Sequence, residues 1–497
     1  MPRPPGPRFV AGLTVVLVVA ALVVWLAPSA RWSPFYPCDA GLRSVGEACI
    51  GVSDSSDFGD PLLAPVMAAI AAENADVDGP FYTVGYLLPL APEAERTAES
   101  AELRHELEGA HVAQLRANHT AEVEGGGPKV KLVVGNAGVG NAHWQEVVRR
   151  FQEMAAGDER LRAVAGMGYS LRTTQEAIAE LTHPADGDSI AVIGARLTAD
   201  SLSVDPATRL VDGFFRVAPT NTDEARAAAE HIRGRGYARP LLLRDTNADD
   251  PYAATLASAF RGTYGETPEA TFDSSKDGLN AAFSDIGRNL CVERPDVVYF
   301  AGRGEPLAQF VDVLANRPCQ DAPLDIVTGD DTSGIRELAL AADVGVRTAL
   351  SGNVSLTYTG LAHPAMWDVA EHRDRYNAGA LAYFRPGCDA CLPTLFPEES
   401  LDDGAAIMGH DTMLLALTAI RRAGQTTDAE AQEVSPGAVI QMLYQVRGVN
   451  SVVGAGGELA LSACGDAVGK LFPLLSLEPD GSARLVAPAA AGEPLAC

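Results

Sequence analysis

Residues Phe81–Leu90 read FYTVGYLLPL, a nearly continuous apolar run that ends at a proline. A run of this length and composition is typical of a strand that is buried on both faces of a parallel sheet. The helical pattern Ala98–Asn118 follows this run, and a second apolar strand, Val130–Val134, follows the helix. Strand, helix and strand in this order predict a βαβ unit.

The alternation of strands and helices continues along the chain and then restarts near residue 214. In the first block, strands are predicted at Leu161–Gly166 and Ser189–Ile193, each after a helical pattern. The second block predicts five more strands, at Phe214–Val217, Leu241–Arg244, Val297–Ala301, Asp325–Thr328 and Thr348–Val354, and the long helix Gly404–Ala423 follows. We therefore expect an α/β protein with two doubly wound lobes, whose ligand cleft lies at the carboxyl ends of the strands.

The N-terminus predicts export. Phe9–Leu26 contains eighteen residues without a charge, which is long for the apolar region of a signal peptide and close to the length that spans a bilayer. Arg3 and Arg8 precede the segment and favour a cytoplasmic location for residues 1–8. We expect a single transmembrane anchor at residues 9–26, a lead-in segment at 27–79 and an extracytoplasmic main body. The alternative is a cleaved signal segment and a secreted protein.

The charge of the chain excludes two classes of partner. The sequence has 65 Asp and Glu against 38 Lys and Arg, a formal net charge of −27. A nucleic-acid-binding protein needs a basic face, and a peripheral protein held by anionic lipid needs basic residues as well. We expect contact with the membrane only through the N-terminal segment.

The eight cysteines favour disulfides, because an exported chain meets an oxidising environment. Their connectivity does not follow from the sequence, and pairing of sequence neighbours is the working hypothesis. Cys388-Asp-Ala-Cys391 has the spacing of a redox motif or of half a zinc site, but no second CxxC and no HxxxH completes a metal site. A structural disulfide is favoured there, and no metal is predicted. The hypothetical pairs are Cys38–Cys49, Cys291–Cys319, Cys388–Cys391 and Cys464–Cys497.

The sequence lacks convincing catalytic signatures. It contains no GxSxG, no Walker A motif and no HExxH. The glycines at 135, 138 and 140 follow a strand, but His143 stands where a dinucleotide-binding loop needs its last glycine. His410-Asp411 falls within a helical pattern, which predicts a capping or solvent-facing histidine because adjacent helical residues do not face each other. We therefore expect a protein that is not an enzyme and needs no cofactor.

The order of several segments carries a resemblance to a known family. The chain resembles the branched-chain amino-acid binding proteins of ABC importers, which have the type I periplasmic solute-binding fold. More narrowly, it is similar to actinobacterial members that carry an N-terminal membrane segment. The resemblance covers roughly residues 80–480 and implies two lobes joined by hinge strands. The segments are TVGYLLPLAP, VKLVVGNAG, AVAGMGYSLRTT, FFRVAPTNTDEARAAAEHI, LLLRDTNADDPYAATLASAF, VVYFAGRGEPLAQF and IVTGDDTSG.

The lobes are expected to be discontinuous in sequence. Residues 80–216 and 350–430 are assigned to lobe 1, and residues 217–349 and 431–485 to lobe 2. Residues 486–497 are assigned to a C-terminal tail. The stretch Arg385–Asp403, which contains the CxxC, looks like an insertion relative to the family.

A bound amino acid needs neutral donors for its carboxylate and an acid for its ammonium group. Gly168-Tyr169-Ser170 ends a strand and opens a helix, so Ser170 is expected to cap that helix, to contact the ligand carboxylate, or both. The resemblance implies that Thr198 is a second carboxylate contact. It also implies that Asp331 meets the ammonium group and that Tyr252 closes over the ligand.

Each candidate site residue also has a plainer interpretation. Asp330 or Asp331 caps a helix, Tyr252 packs in the core, and Thr198 belongs to a turn. Arg196 and Arg303 depart from the family pattern; two arginines near the cleft suit a more anionic ligand or pair with the local acids.

The predicted function is capture of a small polar metabolite, an amino acid or an amide, in the interlobe cleft. The protein would hand this ligand to an ABC permease. The alternative is a ligand-sensing receptor subunit of the same fold that acts through a membrane partner.

Overall fold

A computed structural model describes residues 38–203, 211–332, 335–336, 344–397, 399–426 and 433–492 of the chain. Within these ranges, no helix combines the length and the apolar character needed to cross a membrane. The predicted membrane segment Phe9–Leu26 lies outside the described residues. The described part is mixed α/β and is built on two seven-stranded sheets. We call each sheet with its packed helices a lobe.

Lobe 1 is built on a sheet of order β1-β2-β4-β3-β5-β6-β7. Strands β3 to β7 are parallel to one another, whereas β1 and β2 are antiparallel additions at one edge. This arrangement confirms the βαβ unit predicted from Phe81–Leu90. The strands are Arg43–Val45, Ala48–Ser53, Phe81–Leu88, Lys129–Asn136, Leu161–Gly166, Ala191–Gly194 and Phe214–Arg216, and the helices α1 to α4 between them are Ala64–Ala75, Ala98–His119, Trp144–Ala156 and Arg172–Thr182.

Lobe 2 is built on a sheet of order β16-β15-β12-β11-β10-β8-β9. Strands β8 to β12 are parallel, and β15 and β16 close one edge as an antiparallel pair. Its strands are β8 Pro240–Asp245, β9 Glu269–Phe272, β10 Val297–Ala301, β11 Leu324–Thr328, β12 Val354–Thr359, β15 Leu471–Leu477 and β16 Ala483–Ala490, and its helices α5 to α9 are Asn221–Gly234, Pro251–Tyr264, Leu279–Glu293, Gly304–Leu314 and Val344–Ser351.

The chain passes between the sheets after β7, after β12 and before β15. The segment between β12 and β15 holds four helices and the short antiparallel pair β13 and β14. The helices α10 to α13 are Ala378–Ala382, Leu392–Leu395, Ala405–Thr426 and Pro436–Tyr444, and the pair is Val452–Val453 and Glu458–Leu459. Short 3-10 segments lie at Pro61–Leu63, Glu93–Glu95, Val139–Asn141, Asp200–Leu202, Pro364–Asp368, Ala370–Arg375 and Gly448–Asn450.

The structure differs from the sequence-based expectation in several segments. Residues 43–53 of the expected lead-in form β1 and β2, and β16 extends into the expected tail. The strand expected at Thr348–Val354 is wrong: Val344–Ser351 is helical and the strand begins at Val354. Short apolar runs do not distinguish helix from strand. Strand β12 belongs to the sheet of lobe 2, although residues 350–430 were expected in lobe 1. Helix α13 packs on the sheet of lobe 1, although residues 431–485 were expected in lobe 2.

Helices α2 and α12 cross at backbone contact in the core of lobe 1. A Cβ atom added to Gly109 would lie 1.8 Å from the carbonyl oxygen of Ala406, and one added to Gly409 would lie 1.9 Å from that of Glu106. Only glycine fits at both positions. This contact fixes α2 firmly, and the first turn of α2 reaches the cleft described below.

Three of the hypothetical disulfides are confirmed. Cys38 is bonded to Cys49, Cys291 to Cys319, and Cys388 to Cys391. The first ties the start of the described chain to β2. The fourth hypothetical pair involves Cys497, which lies outside the described residues.

The expectation for His410 is wrong. Its ring is fully buried and its Nδ1 lies 2.9 Å from Oδ1 of the neighbouring Asp411. The same carboxylate accepts the backbone N–H groups of Ala455 and Gly456 at 2.8 and 2.7 Å. Tertiary contacts hold this pair together although helix geometry alone would separate the two side chains.

Candidate functional site

A cavity of about 380 Å³ lies between the two lobes, at the carboxyl ends of their parallel strands. Lobe 1 contributes the loops after β3, β4 and β5 and the first turns of α2. Lobe 2 contributes the loops after β8, β9 and β10 and the start of α8. Open α/β sheets bind ligands at this edge, and the volume is in the range of small-molecule sites.

The charged side chains in the cavity wall are mostly acidic. Arg303 is the one basic side chain among the described lining residues. The carboxylates come from both lobes: Glu95, Glu99, Asp249, Asp250 and Glu305. The remaining polar lining includes neutral donors such as Ser100, Asn247 and Gln309.

Arg303 connects the two lobes. Its Nε and Nη2 donate to the two carboxylate oxygens of Asp250, both at 2.8 Å, and its Nη1 donates to Asp331 at 3.0 Å. Nη2 also donates to the main-chain carbonyl of Ser170, in lobe 1, at 2.7 Å. The guanidinium carbon lies 4.6 Å from the centre of the Tyr252 ring. The positive charge of Arg303 is therefore matched by two acids of its own lobe.

Glu99 faces this cluster from the first turn of α2. Burial, and next the negative charge of Asp331, raise the pKa of the Glu99 carboxyl to about 6, although Arg303 and Arg196 act in the opposite direction. This carboxyl therefore changes its charge near neutral pH.

The predicted segment Gly168-Tyr169-Ser170 has a different role from the one expected. Helix α4 begins at Arg172 with Leu171 as its N-cap residue, so Ser170 does not cap it. Oγ of Ser170 accepts the backbone N–H groups of Thr198 and Ala199 at 3.1 and 3.3 Å. Gly168 has φ +71°, and a Cβ there would lie 2.4 Å from Cδ of Pro89. The segment thus joins three loops of lobe 1, and Tyr169 lines the cavity.

Thr198 makes a second connection between the lobes. Its Oγ1 donates to Oδ1 of Asp330 at 3.2 Å, and both side chains are buried. The backbone N–H of Asp330 donates to Oε2 of Glu224 at 2.8 Å, and Thr359 donates to the same oxygen at 2.6 Å. Burial, and next the charge of Asp330, raise the pKa of Glu224 well above its usual range.

Tyr252 is a buried residue that does not line the cavity. Its side chain is 1% exposed, and its hydroxyl accepts the backbone N–H of Asp331 at 3.2 Å. Gly329 permits this approach, because a Cβ there would lie 2.4 Å from the Tyr252 hydroxyl. The plainer interpretation, a packing residue, describes the position of the Tyr252 side chain.

The two arginines that depart from the family pattern are both paired with acids. Nη2 of Arg196 bonds to Glu102 of α2, and the guanidinium carbon of Arg196 lies 5.2 Å from the centre of the Tyr169 ring. Arg303 is paired with Asp250 and Asp331, as described above. Pairing with local acids is thus what the structure shows, so these arginines do not make the cavity wall basic.

A buried ionic cluster holds α2 in place: His105 of α2 pairs with Glu399 and Asp403. Nδ1 and Nε2 of His105 lie 2.5 Å from Asp403 and 2.6 Å from Glu399. Burial disfavours the charged imidazole, but Asp403 and Glu399 outweigh it and raise the pKa of His105 to about 10. Both acids belong to the end of the stretch Arg385–Asp403, so this stretch helps to hold a helix that lines the cavity.

The structure joins six of the predicted site residues in one network, which lies at and directly behind the cavity wall: Ser170, Thr198, Tyr252, Asp330, Asp331 and Arg303. Of the candidates, Tyr169 and Arg303 line the cavity itself. Sequence reasoning missed the segment 89–103, which is a loop followed by the first turns of α2, and the loop 247–250. These segments follow the apolar strands β3 and β8. Their position after a predicted parallel strand is the sequence signal that could have assigned them to the cleft. Among the described residues, no cluster of His, Cys, Asp or Glu has the arrangement of a metal site.

Comparisons with known proteins give structural matches only. Neither a protein-family model nor a curated protein matches the sequence. The leucine-binding protein LivK from Thermotoga maritima matches with a TM-score of 0.60 at 18% identity, over 82% of this chain and 98% of that one. LivJ from Streptococcus pneumoniae, a branched-chain amino-acid substrate-binding protein solved with isoleucine, matches with 0.59 at 16% identity, over 83% and 99%.

A third solved structure extends the range of ligands among the matches. A solute-binding protein of an ABC transporter from Rhodopseudomonas palustris BisB5, in complex with 3,4-dihydroxybenzoic acid, has a TM-score of 0.56 at 15% identity, over 83% of this chain and 98% of that one. These proteins share a fold and differ in ligand. The chain therefore has the type I periplasmic-binding fold of ABC transporter substrate-binding proteins, at low sequence identity to the matched structures.

Proposed function

We propose that this protein is a solute-binding protein that captures a small polar metabolite, an amino acid or an amide, between its two lobes. The observation that carries the proposal is the cavity of about 380 Å³ whose wall is shared by both lobes. A ligand that contacts both walls stabilises their association and is held by their closure.

The chemistry of the wall favours a solute with an amino group. Glu99 from lobe 1 and Glu305 from lobe 2 offer carboxylates, and the amino group is the positively charged part of an amino acid. Ser100, Asn247 and Gln309 offer uncharged donors for a carboxylate or an amide oxygen. A solute that carries both kinds of group satisfies both sets of side chains.

We further propose that the body of the protein is extracytoplasmic, held at the cell membrane or secreted, and that it delivers its solute to an ABC permease. The three disulfides support an oxidising compartment. The matched structures, which are substrate-binding proteins of ABC transporters, support the permease as the partner.

A thermal-shift screen of the purified protein with amino acids, their amides and small carboxylic acids tests the proposal. A solute at 100 times its Kd should add about 2.7 kcal/mol to the free energy of unfolding. The solute should be recovered unchanged after long incubation. Turnover of the solute, or stabilisation only by acids that lack an amino or amide group, would contradict the proposal.

A further inference from the structure

The guanidinium group of Arg303, which lines the cavity, is contacted by the chain itself through all three of its nitrogens and one face. Asp250 binds it through two oxygens, in the forked geometry that suits a guanidinium and a carboxylate. Asp331 accepts from the third nitrogen, and the Tyr252 ring lies against the face of the group. These contacts, all from lobe 2, form a binding position for a planar cation, which we call the seat: Asp250, Asp331 and the Tyr252 ring.

The seat is closed by lobe 1. Nη2 of Arg303, which also binds Asp250, donates to the carbonyl oxygen of Ser170 at 2.7 Å. Glu99 of lobe 1 also interacts with the charge of Arg303. The cation is therefore bound by acceptors from both lobes, as a ligand in the cleft would be.

Asp331, which the resemblance assigned to the ammonium group of a ligand, and Tyr252, which it expected to close over the ligand, both belong to this seat. The position that sequence reasoning assigned to a ligand cation is thus filled by a side chain of the protein. A Lys side chain would place a single point charge there, whereas Arg supplies donors in three directions.

We propose that Arg303 is an intramolecular cation that holds the two lobes together, and we call this contact the latch. Because Arg303 occupies the seat, the solute cannot bind there and binds beside it in the cavity. The latch itself does not depend on the identity of the solute. The exclusion of the solute from the seat rests on the proposed function, and the following experiment tests the latch without any solute.

The Arg303→Ala variant should open the cleft and leave an empty seat for a guanidinium ion. Small-angle scattering should show a larger radius of gyration than that of the wild type, and the thermal midpoint should fall by several degrees. Guanidinium chloride at about 10 mM, far below denaturing concentrations, should reverse both changes in part. The wild type, whose seat is filled, should show neither effect.

Arg261→Ala is the matched control. Arg261 also forms a two-point pair, with Glu269, but on the surface of lobe 2 and away from the cleft. Guanidinium should not change its scattering or its thermal midpoint. The proposal is overturned if Arg303→Ala keeps the wild-type radius of gyration, or if its response to guanidinium is no larger than that of Arg261→Ala.

Arg303→Lys covers the case in which the alanine variant does not fold. It keeps the charge among the acids, but an ammonium group does not reach both oxygens of Asp250 and the Ser170 carbonyl together. Its radius of gyration should lie above that of the wild type. A lysine variant with wild-type scattering would overturn the proposal.

Discussion

Thr198 in lobe 1 donates a hydrogen bond of 3.2 Å to Asp330 in lobe 2, and both side chains are buried. This bond links the loop after β6 to the loop after β11, directly behind the cavity. Since the acceptor is a carboxylate, loss of the donor leaves a buried charge with one fewer partner.

Thr198→Val should therefore weaken solute binding. A hydrogen bond to a charged group is worth about 1.5–3 kcal/mol, and if roughly half of it acts on closure the Kd should rise several-fold. Isothermal titration with the solute found by the thermal-shift screen measures this. Thr263→Val is the control, because the Thr263 hydroxyl donates to the Ala259 carbonyl in its own helix and its loss should leave the Kd unchanged. Equal affinities for Thr198→Val and the wild type would contradict a role in closure.

Glu224→Gln should be well tolerated at neutral pH. Glu224 is fully buried beside Asp330, and burial, and next the charge of Asp330, raise its pKa well above its usual range, so its charged form is disfavoured. A glutamine matches the carboxyl group in shape and still accepts from the backbone N–H of Asp330 and from Thr359. The free energy of unfolding should change by no more than about 1 kcal/mol, whereas Glu224→Ala, which removes that acceptor and leaves a cavity, should cost about 2–4 kcal/mol. Urea unfolding of the two variants decides this, and equal losses would contradict the role of Glu224 as a buried hydrogen-bond acceptor.

Solute affinity should depend on pH through Glu99. Its pKa of about 6 means that the carboxylate, which would meet the amino group of the solute, is lost as the pH falls through this value. The Kd should therefore rise between pH 7 and pH 5, by up to about tenfold per pH unit for one fully linked proton. Glu99→Gln should bind more weakly at pH 7 and show a flatter profile. A Glu99→Gln variant with the steep wild-type profile would assign the titration to another group.

The stability of the protein should fall as the pH rises from about 4.5 to 10. Burial raises the pKa of Glu106 to about 7 and that of Glu108 to about 8, so the folded state holds these protons after the unfolded chain has lost them above about 4.5. His105, with its pKa of about 10, stabilises the fold fully below about 6.5 and loses this contribution as the pH rises towards 10. Each linked proton contributes a slope of about 1.4 kcal/mol per pH unit.

Urea unfolding at a series of pH values measures this slope. Glu108→Gln should flatten the profile between about pH 4.5 and 8, since the amide does not titrate. Glu153→Gln, an exposed change on α3, is the control and should keep the wild-type slope. A wild-type stability that rises from pH 5 to pH 9 would contradict these pKa shifts.

The fold could be predicted from strand patterning, but only where the apolar signal is long. The run Phe81–Leu90 contains the strand β3, which is buried from Thr83 onward, and Val297–Ala301 is buried throughout, because both are central strands of their parallel sheets. Residues 43–53 escaped prediction because two short strands, added antiparallel at one edge of the sheet, carry a weak pattern. The crossing of β12 into lobe 2 depends on long-range pairing, which local sequence does not encode.

The site was predictable as a region, because loops at the carboxyl ends of parallel strands share one edge. The roles of its side chains were not. Ser170 accepts from residues 28 and 29 positions away, and Arg303 pairs with an acid 53 positions away. Which acid neutralises an arginine is decided by tertiary distance, so the sequence left open whether Arg303 favours an anionic solute.

The central claim is that the cavity between the lobes is the solute site, and blocking it is the most direct test. Gln309 lines the cavity from α8, and Gln309→Trp should fill much of the available space. Isothermal titration with the solute from the screen should show that Gln309→Trp lowers affinity at least about tenfold, a loss of 1.4 kcal/mol or more. Val344→Trp, on an exposed position of α9, should bind like the wild type. Wild-type affinity in folded Gln309→Trp would contradict the account.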